Sequence, residues 1–92
     1  VLTASPVVAL NRAVALAELA GPAAGLAALD ALAAGPDAAC LADHQPWWAA
    51  RAELLQRLGR GAEAAAAYDR AIGLEADPVV RAFLQRRRPP SP

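Results

Sequence analysis

Residues 50–72, ARAELLQRLGRGAEAAAAYDRAI, decide the fold. They read as two helices folded back on each other across Gly59-Arg60-Gly61. The first places Leu54, Leu55 and Leu58 on one side, and the second turns Ala64, Ala67, Ala71 and Tyr68 onto a single face at helical spacing. Small residues on facing stripes let two helix axes approach closely, and Tyr68 fills the remaining space. Sliding the chain by 39 residues lays Arg12 on Arg51, Ala13 on Ala52, Leu16 on Leu55, Leu19 on Leu58, Leu29 on Tyr68 and Asp30 on Asp69. Alanine matches mean little here, because the chain holds 27 alanines. The Arg, Leu and Asp coincidences carry the weight, and no gap is needed from Asn11 through Ala33. Two copies of a helical hairpin at this period indicate an α-solenoid.

Working outward, Ser5-Pro6 is a helix start, with Ser5 able to cap free amides and Pro6 suited to the first turn. A first hairpin over 6–34 follows, its helices running about 6–20 and 22–34 and broken at Gly21-Pro22. Val7, Leu10 and Val14 line one stripe of the first helix, and Ala13, Leu16 and Ala20 an adjoining one. Leu26, Leu29 and Leu32 mark the second helix, which stops at Gly35-Pro36. The loop 35–46 holds Asp37, Cys40, Asp43, His44 and Gln45, with room for a helical turn around 38–41. A second hairpin occupies 47–74, with Trp47 and Trp48 in its opening turn and Gly59 as a C-cap. Asp77-Pro78 repeats the cap-then-proline signal and opens a capping helix, 78–87, that turns Val79, Val80, Phe83 and Leu84 to one side. Residues 89–92, Pro-Pro-Ser-Pro, read as a disordered or extended tail. The prediction is an all-α domain over 1–88: two antiparallel hairpins closed by a C-terminal helix.

Bulk properties narrow the function classes. At 92 residues the chain is one small domain with a modest core. All nine basic residues are arginine, balanced by nine acidic ones, so a nucleic-acid-binding surface across the whole domain is not expected. One cysteine, Cys40, rules out an intrachain disulfide and fits a reducing cytoplasm. No charge-free apolar run reaches the ~18 residues of a membrane span, and the first residues given are not expected to be a signal peptide, because they lack its basic segment. The absence of an initiator methionine leads us to expect that the chain is part of a longer protein.

The reactive side chains do not assemble into a site. Cys40, Asp43 and His44 fall short of a zinc set, which needs about four ligands at close paired spacing. A Cys40–His44 nucleophile pair lacks an orienting third group. Gly21-Pro22 and Gly59-Arg60-Gly61 are turns, not phosphate cradles. Arg86, Arg87 and Arg88 lie where cations favour the helix macrodipole and stay solvated. Trp48 is expected in the core, while Trp47, about 100° round the helix, is the one open to a contact surface. We therefore expect no catalytic residue, no cofactor and no metal.

Two resemblances follow from these residues. Residues 50–71 resemble the tetratricopeptide repeat (TPR): Trp48 opens helix A, Ala52 stands four residues on, Gly59 sits at the turn, and Ala64, Tyr68 and Ala71 form the small–aromatic–small triplet of helix B. The closing proline is displaced to Pro78, and the surplus over the usual period falls in the 35–46 loop. In the first copy Ala9, Ala13, Gly25, Leu29 and Leu32 stand at the matching positions. More specifically, SPVVALNRAVALAELAGPAAGLAALDAL (5–32), RAELLQRLGRGAEAAAAYDRAIGL (51–74) and FLQRR (83–87) look like the C-terminal TPR-like extension of bacterial sigma factors of the extracytoplasmic-function (ECF) class.

The resemblance implies a regulatory role in transcription initiation through protein contacts. The partners would be upstream sigma-factor regions, RNA polymerase or a regulator, and this segment would not touch DNA. Binding would use the concave face of the A helices: Val14 and Glu18 from the first copy, and Glu53, Gln56 and Arg57 from the second, with Trp47 beside them. The alternative is a free-standing TPR adaptor with no transcriptional role. Arg12 with Asp30, and Arg51 with Asp69, are expected to bridge helices within or between hairpins. The first helix, with Val7, Val8 and Leu10 facing outward, is expected to self-associate.

Overall fold

The computed structural model describes residues 6–36 and 38–90. Six helices follow one another: α1 (Pro6–Ala20), α2 (Pro22–Ala33), α3 (Ala38–Ala42), α4 (Gln45–Arg57), α5 (Gly61–Leu74) and α6 (Pro78–Arg87). No strand occurs among the described residues. The helices pair as hairpins, α1 with α2 and α4 with α5, and α2 lies against α4 to join them. The 39-residue offset is visible in the helix starts, since α1 and α4 begin at residues 6 and 45, and α2 and α5 at 22 and 61. The assembly is a slab of 37 × 30 × 19 Å. Ser5, expected to cap α1, lies outside the described residues, as do the last two residues of the tail.

Local chemistry explains the turns. At the end of α4 the backbone closes a Schellman motif: Arg60 N–H donates to Leu55 C=O at 2.9 Å, and Gly59 N–H to Gln56 C=O at 3.0 Å. Gly59 takes φ of +77°, a conformation that would strain a side-chain-bearing residue. α6 begins as its sequence predicts, with the Asp77 carboxylate accepting from Val79 N–H at 2.8 Å. Within the 35–46 connection the chain forms α3, whose Leu41 is buried.

The core runs through both hairpins. Leu10, Ala13 and Ala17 of α1 meet Gly25, Leu26 and Leu29 of α2; Ala52, Leu54 and Leu55 of α4 meet Ala64, Ala67, Tyr68 and Ala71 of α5. Gly25 permits the close approach of α1 and α2, because a Cβ there would stand 2.5 Å from the Ala17 Cβ. This corrects the face expected for α1. The helix turns its small residues inward and leaves Val7, Val14 and Leu16 exposed, whereas Leu10 is covered.

Two further expectations are corrected. Trp47, assigned to the surface, is buried, and Trp48, assigned to the core, is only half-buried. The side of α4 that meets α2 carries Trp47, whose indole N–H donates to Leu29 C=O at 3.3 Å. Trp48 is rotated toward α3 and donates to Ala42 C=O at 2.9 Å. The two rings meet edge to face, 4.8 Å between centroids. In α6 only Val80 and Leu84 pack inward; Val79 and Phe83 are exposed, because α6 meets the array chiefly along α5.

The ion pairs do bridge neighbouring elements, although neither same-hairpin pair forms. Asp30 of α2 pairs with Arg51 of α4, and Asp69 of α5 pairs with Arg88 just beyond α6 at 2.6 Å. Asp30 and Asp69 thus each reach forward in the chain to an arginine beyond their own hairpin. Arg51 also lies over the Trp47 ring at 5.6 Å.

Candidate protein-binding surface

Because α1 and α4 repeat one register, Glu18 and Arg57 occupy equivalent positions on adjacent helices. The structure brings them together. Arg57 donates to Glu18 at 2.9 Å across the two helices, and to Glu53 at 2.5 Å one turn back on α4. The hydrogen bond to Glu18, followed by the charge of Glu53, raises the Arg57 pKa and keeps its guanidinium charged. All three side chains stay partly open to solvent, so the triad is a surface network whose value is orientation more than stability.

Gln56 stands beside this triad and is fixed from beneath. The buried Tyr68 hydroxyl donates to Gln56 Oε1 at 3.1 Å. Val14 is exposed one turn before Glu18. Five of the six residues expected at the surface are therefore exposed or half-exposed on α1 and α4. Trp47 is not among them, for the packing reason given above.

Residues of α6 complete the surface, and sequence reasoning had assigned them elsewhere. Glu53, Gln56 and Arg57 form a polar depression with Arg86 and Arg87. A second depression adjoins it, lined by Ala49, Ala50, Glu53, Tyr68, Phe83 and Arg87. The Arg87 guanidinium lies over the Phe83 ring at 5.7 Å. The one available signal was the FLQRR spacing, which puts an aromatic and an arginine four residues apart on one side of a helix. Since α6 starts 33 residues after α4, it falls outside the 39-residue register and could not be placed by it.

Chemically, this surface offers two carboxylates, three guanidinium groups, one amide and one aromatic ring. Cys40 is exposed on α3, and His44 lies in the link to α4 with its Nε2 buried and unpartnered among the described residues. No three potential metal ligands cluster among the described residues. No helix among the described residues is long and apolar enough to cross a membrane.

The geometry defines an all-helical hairpin array with a charged interhelical surface. No protein-family model matches the chain. No solved structure matches it either. It is 39% identical over 84 residues to an uncharacterised protein of Rhizobium meliloti (strain 1021), an alignment covering 91% of this chain. The chain spans 19% of the length of that relative.

Proposed function

We propose that this chain is a TPR-like interaction domain that holds a protein partner on the α1–α4–α6 surface, as the C-terminal extension of an ECF-class sigma factor. The observation that carries the interaction reading is the repeated register. It sets Glu18 and Arg57 side by side and builds one continuous polar face from helices of different hairpins. Arg86 lacks an ion-pair partner among the described residues, and Arg87 is engaged by an aromatic ring. The face therefore favours a partner segment with carboxylates beside an apolar residue. Support for the sigma-factor setting comes from the SPVVALNRAVA run of residues 5–15. In that setting promoter reading belongs to other regions, the protein is cytoplasmic, and this domain contributes contacts to those regions, to RNA polymerase or to a regulator.

The test uses the full-length gene product. Tagged protein is expected to retain RNA polymerase core during purification and to direct promoter-dependent run-off transcription. The double reversal Glu53→Arg with Arg57→Glu is expected to alter transcription at least tenfold while the protein keeps its helical content. Failure to bind polymerase or to start transcripts would remove the sigma-factor setting and leave the adaptor reading. Activity indifferent to the double reversal would remove this surface.

A further inference from the structure

α1 and α4 share a register but not an environment. On α4, Trp47, Arg51, Leu54, Leu55 and Leu58 form one helical stripe, buried or half-buried throughout. α2 meets this stripe through the Trp47 indole on Leu29 C=O and through the Asp30–Arg51 pair. The same register on α1 reads Val8, Arg12, Ala15, Leu16 and Leu19, and all five residues are exposed. Leu16 is 39% and Leu19 87% accessible, where Leu55 is 1% and Trp47 5%. Arg12 makes no hydrogen bond or ion pair among the described residues, although Arg51 and Arg88 each hold an aspartate. Arg12, Leu16 and Leu19 line an apolar groove with Ala9, Ala28 and Leu32.

We propose that this groove is the seat of a further helix of the α2 type, belonging to a preceding hairpin, with an aspartate that pairs with Arg12. Three observations select that occupant. The stripe occupies the register positions of the one that α2 meets at Trp47 and Arg51. Asp30 of the second helix pairs with Arg51, whose register mate Arg12 has no aspartate among the described residues. In the rhizobial relative the matched segment is 19% of the length, so most of that polypeptide lies outside it. The inference rests on the repeat reading and is indifferent to the transcriptional one, since its test involves no polymerase.

Residues 6–44 make up one 39-residue period, α1 through the link before α4. The experiment duplicates this period directly ahead of Pro6 in the otherwise intact chain. The added copy carries Glu18→Gln so that it sets no carboxylate beside the original Glu18. If the groove seats an α2-type helix, amide exchange across residues 12–20 of the original α1 slows at least tenfold. Tm should rise by at least about 5 °C. The added copy's Asp30→Arg should erase part of that gain, and Arg12→Asp in the original helix should restore it. The same 39-residue segment, supplied in trans to the unaltered chain, should give the same exchange pattern more weakly. Unchanged exchange and melting in both formats would overturn the inference. So would an unaltered chain that dimerises in sedimentation and becomes monomeric with Leu19→Glu, because the occupant would then be a second copy.

Discussion

α1 and α4 show what a repeat register does and does not determine. Both helices place a leucine at equivalent positions, Leu16 and Leu55, and an arginine four residues earlier, Arg12 and Arg51. Leu55 and Arg51 lie on a helix packed against both α5 and α2, whereas Leu16 and Arg12 lie on a helix packed chiefly against α2 alone. The sequence period therefore specifies which face a helix offers, while the neighbour decides whether that face becomes core. Apolar surface contributes about 25 cal/mol per Å² only when something removes it from water.

The largest break in the comparison should come from truncating the two leucines. Leu55→Ala is expected to cost about 2–5 kcal/mol, as buried leucines do. Leu16→Ala should change stability by less than about 1 kcal/mol, since half-open side chains leave little cavity. Urea titrations of both variants test this directly; equal losses would mean that the two helices are equally enclosed.

Next in size is a glycine contrast. Gly25 is the register mate of Ala64, which the second hairpin accommodates with no accessible surface. Gly→Ala in an open helix gains about 0.8–1 kcal/mol of propensity, and Gly73, with open space around its Cβ position, should show that gain. At Gly25 the new methyl meets Ala17, and overpacking of about 1–3 kcal/mol should reverse the sign. Thermal melts should move in opposite directions for Gly25→Ala and Gly73→Ala. Ala64→Leu, which enlarges a site already filled, should likewise cost about 1–3 kcal/mol.

These sites separate what was legible from what was not. Helix boundaries were readable because capping and breaking are local chemistry, as at Asp77-Pro78 and Leu58-Gly59. Alanine stripes at 64, 67 and 71 were readable because helical spacing forces them onto one face. Which of Trp47 and Trp48 turns inward was not readable, because both answers are compatible with the helix. The choice belongs to α2, which presents Leu29 C=O and Asp30 on one side of α4 only. The same holds for the ion pairs: spacing showed arginine and aspartate recurring together, but pairing across hairpins depends on how the hairpins stack. At the candidate surface, Glu18, Glu53, Gln56 and Arg57 followed from the register, whereas Phe83, Arg86 and Arg87 lie outside it.

A smaller effect should sharpen the comparison of the two arginines. Arg51→Ala is expected to cost about 0.2–1 kcal/mol, the range for exposed pairs, with additional loss from its contact over Trp47. Arg12→Ala should be neutral in this chain. A double-mutant cycle with Asp30→Ala should find coupling to Arg51 and none to Arg12.

The smallest effect is a pH dependence. The Arg88 guanidinium, hydrogen-bonded to Asp69, holds that carboxyl below its ordinary range. A carboxyl depressed in the folded state contributes stability above its unfolded pKa of about 4, and loses it as pH falls through the folded value. Wild type should therefore exceed Asp69→Asn slightly at pH 7, and the two should converge toward pH 2. Curves that run parallel across that interval would show that the pair contributes nothing.

The contact between Glu18 and Arg57 has one more consequence. These are the same position in successive hairpins, carrying opposite signs. Two identical hairpins stacked in this register would set acid against acid or base against base at that point. The contact thus distinguishes the order of the two hairpins: exchanging one for a copy of the other would replace an attraction at this point by an opposition of like charges.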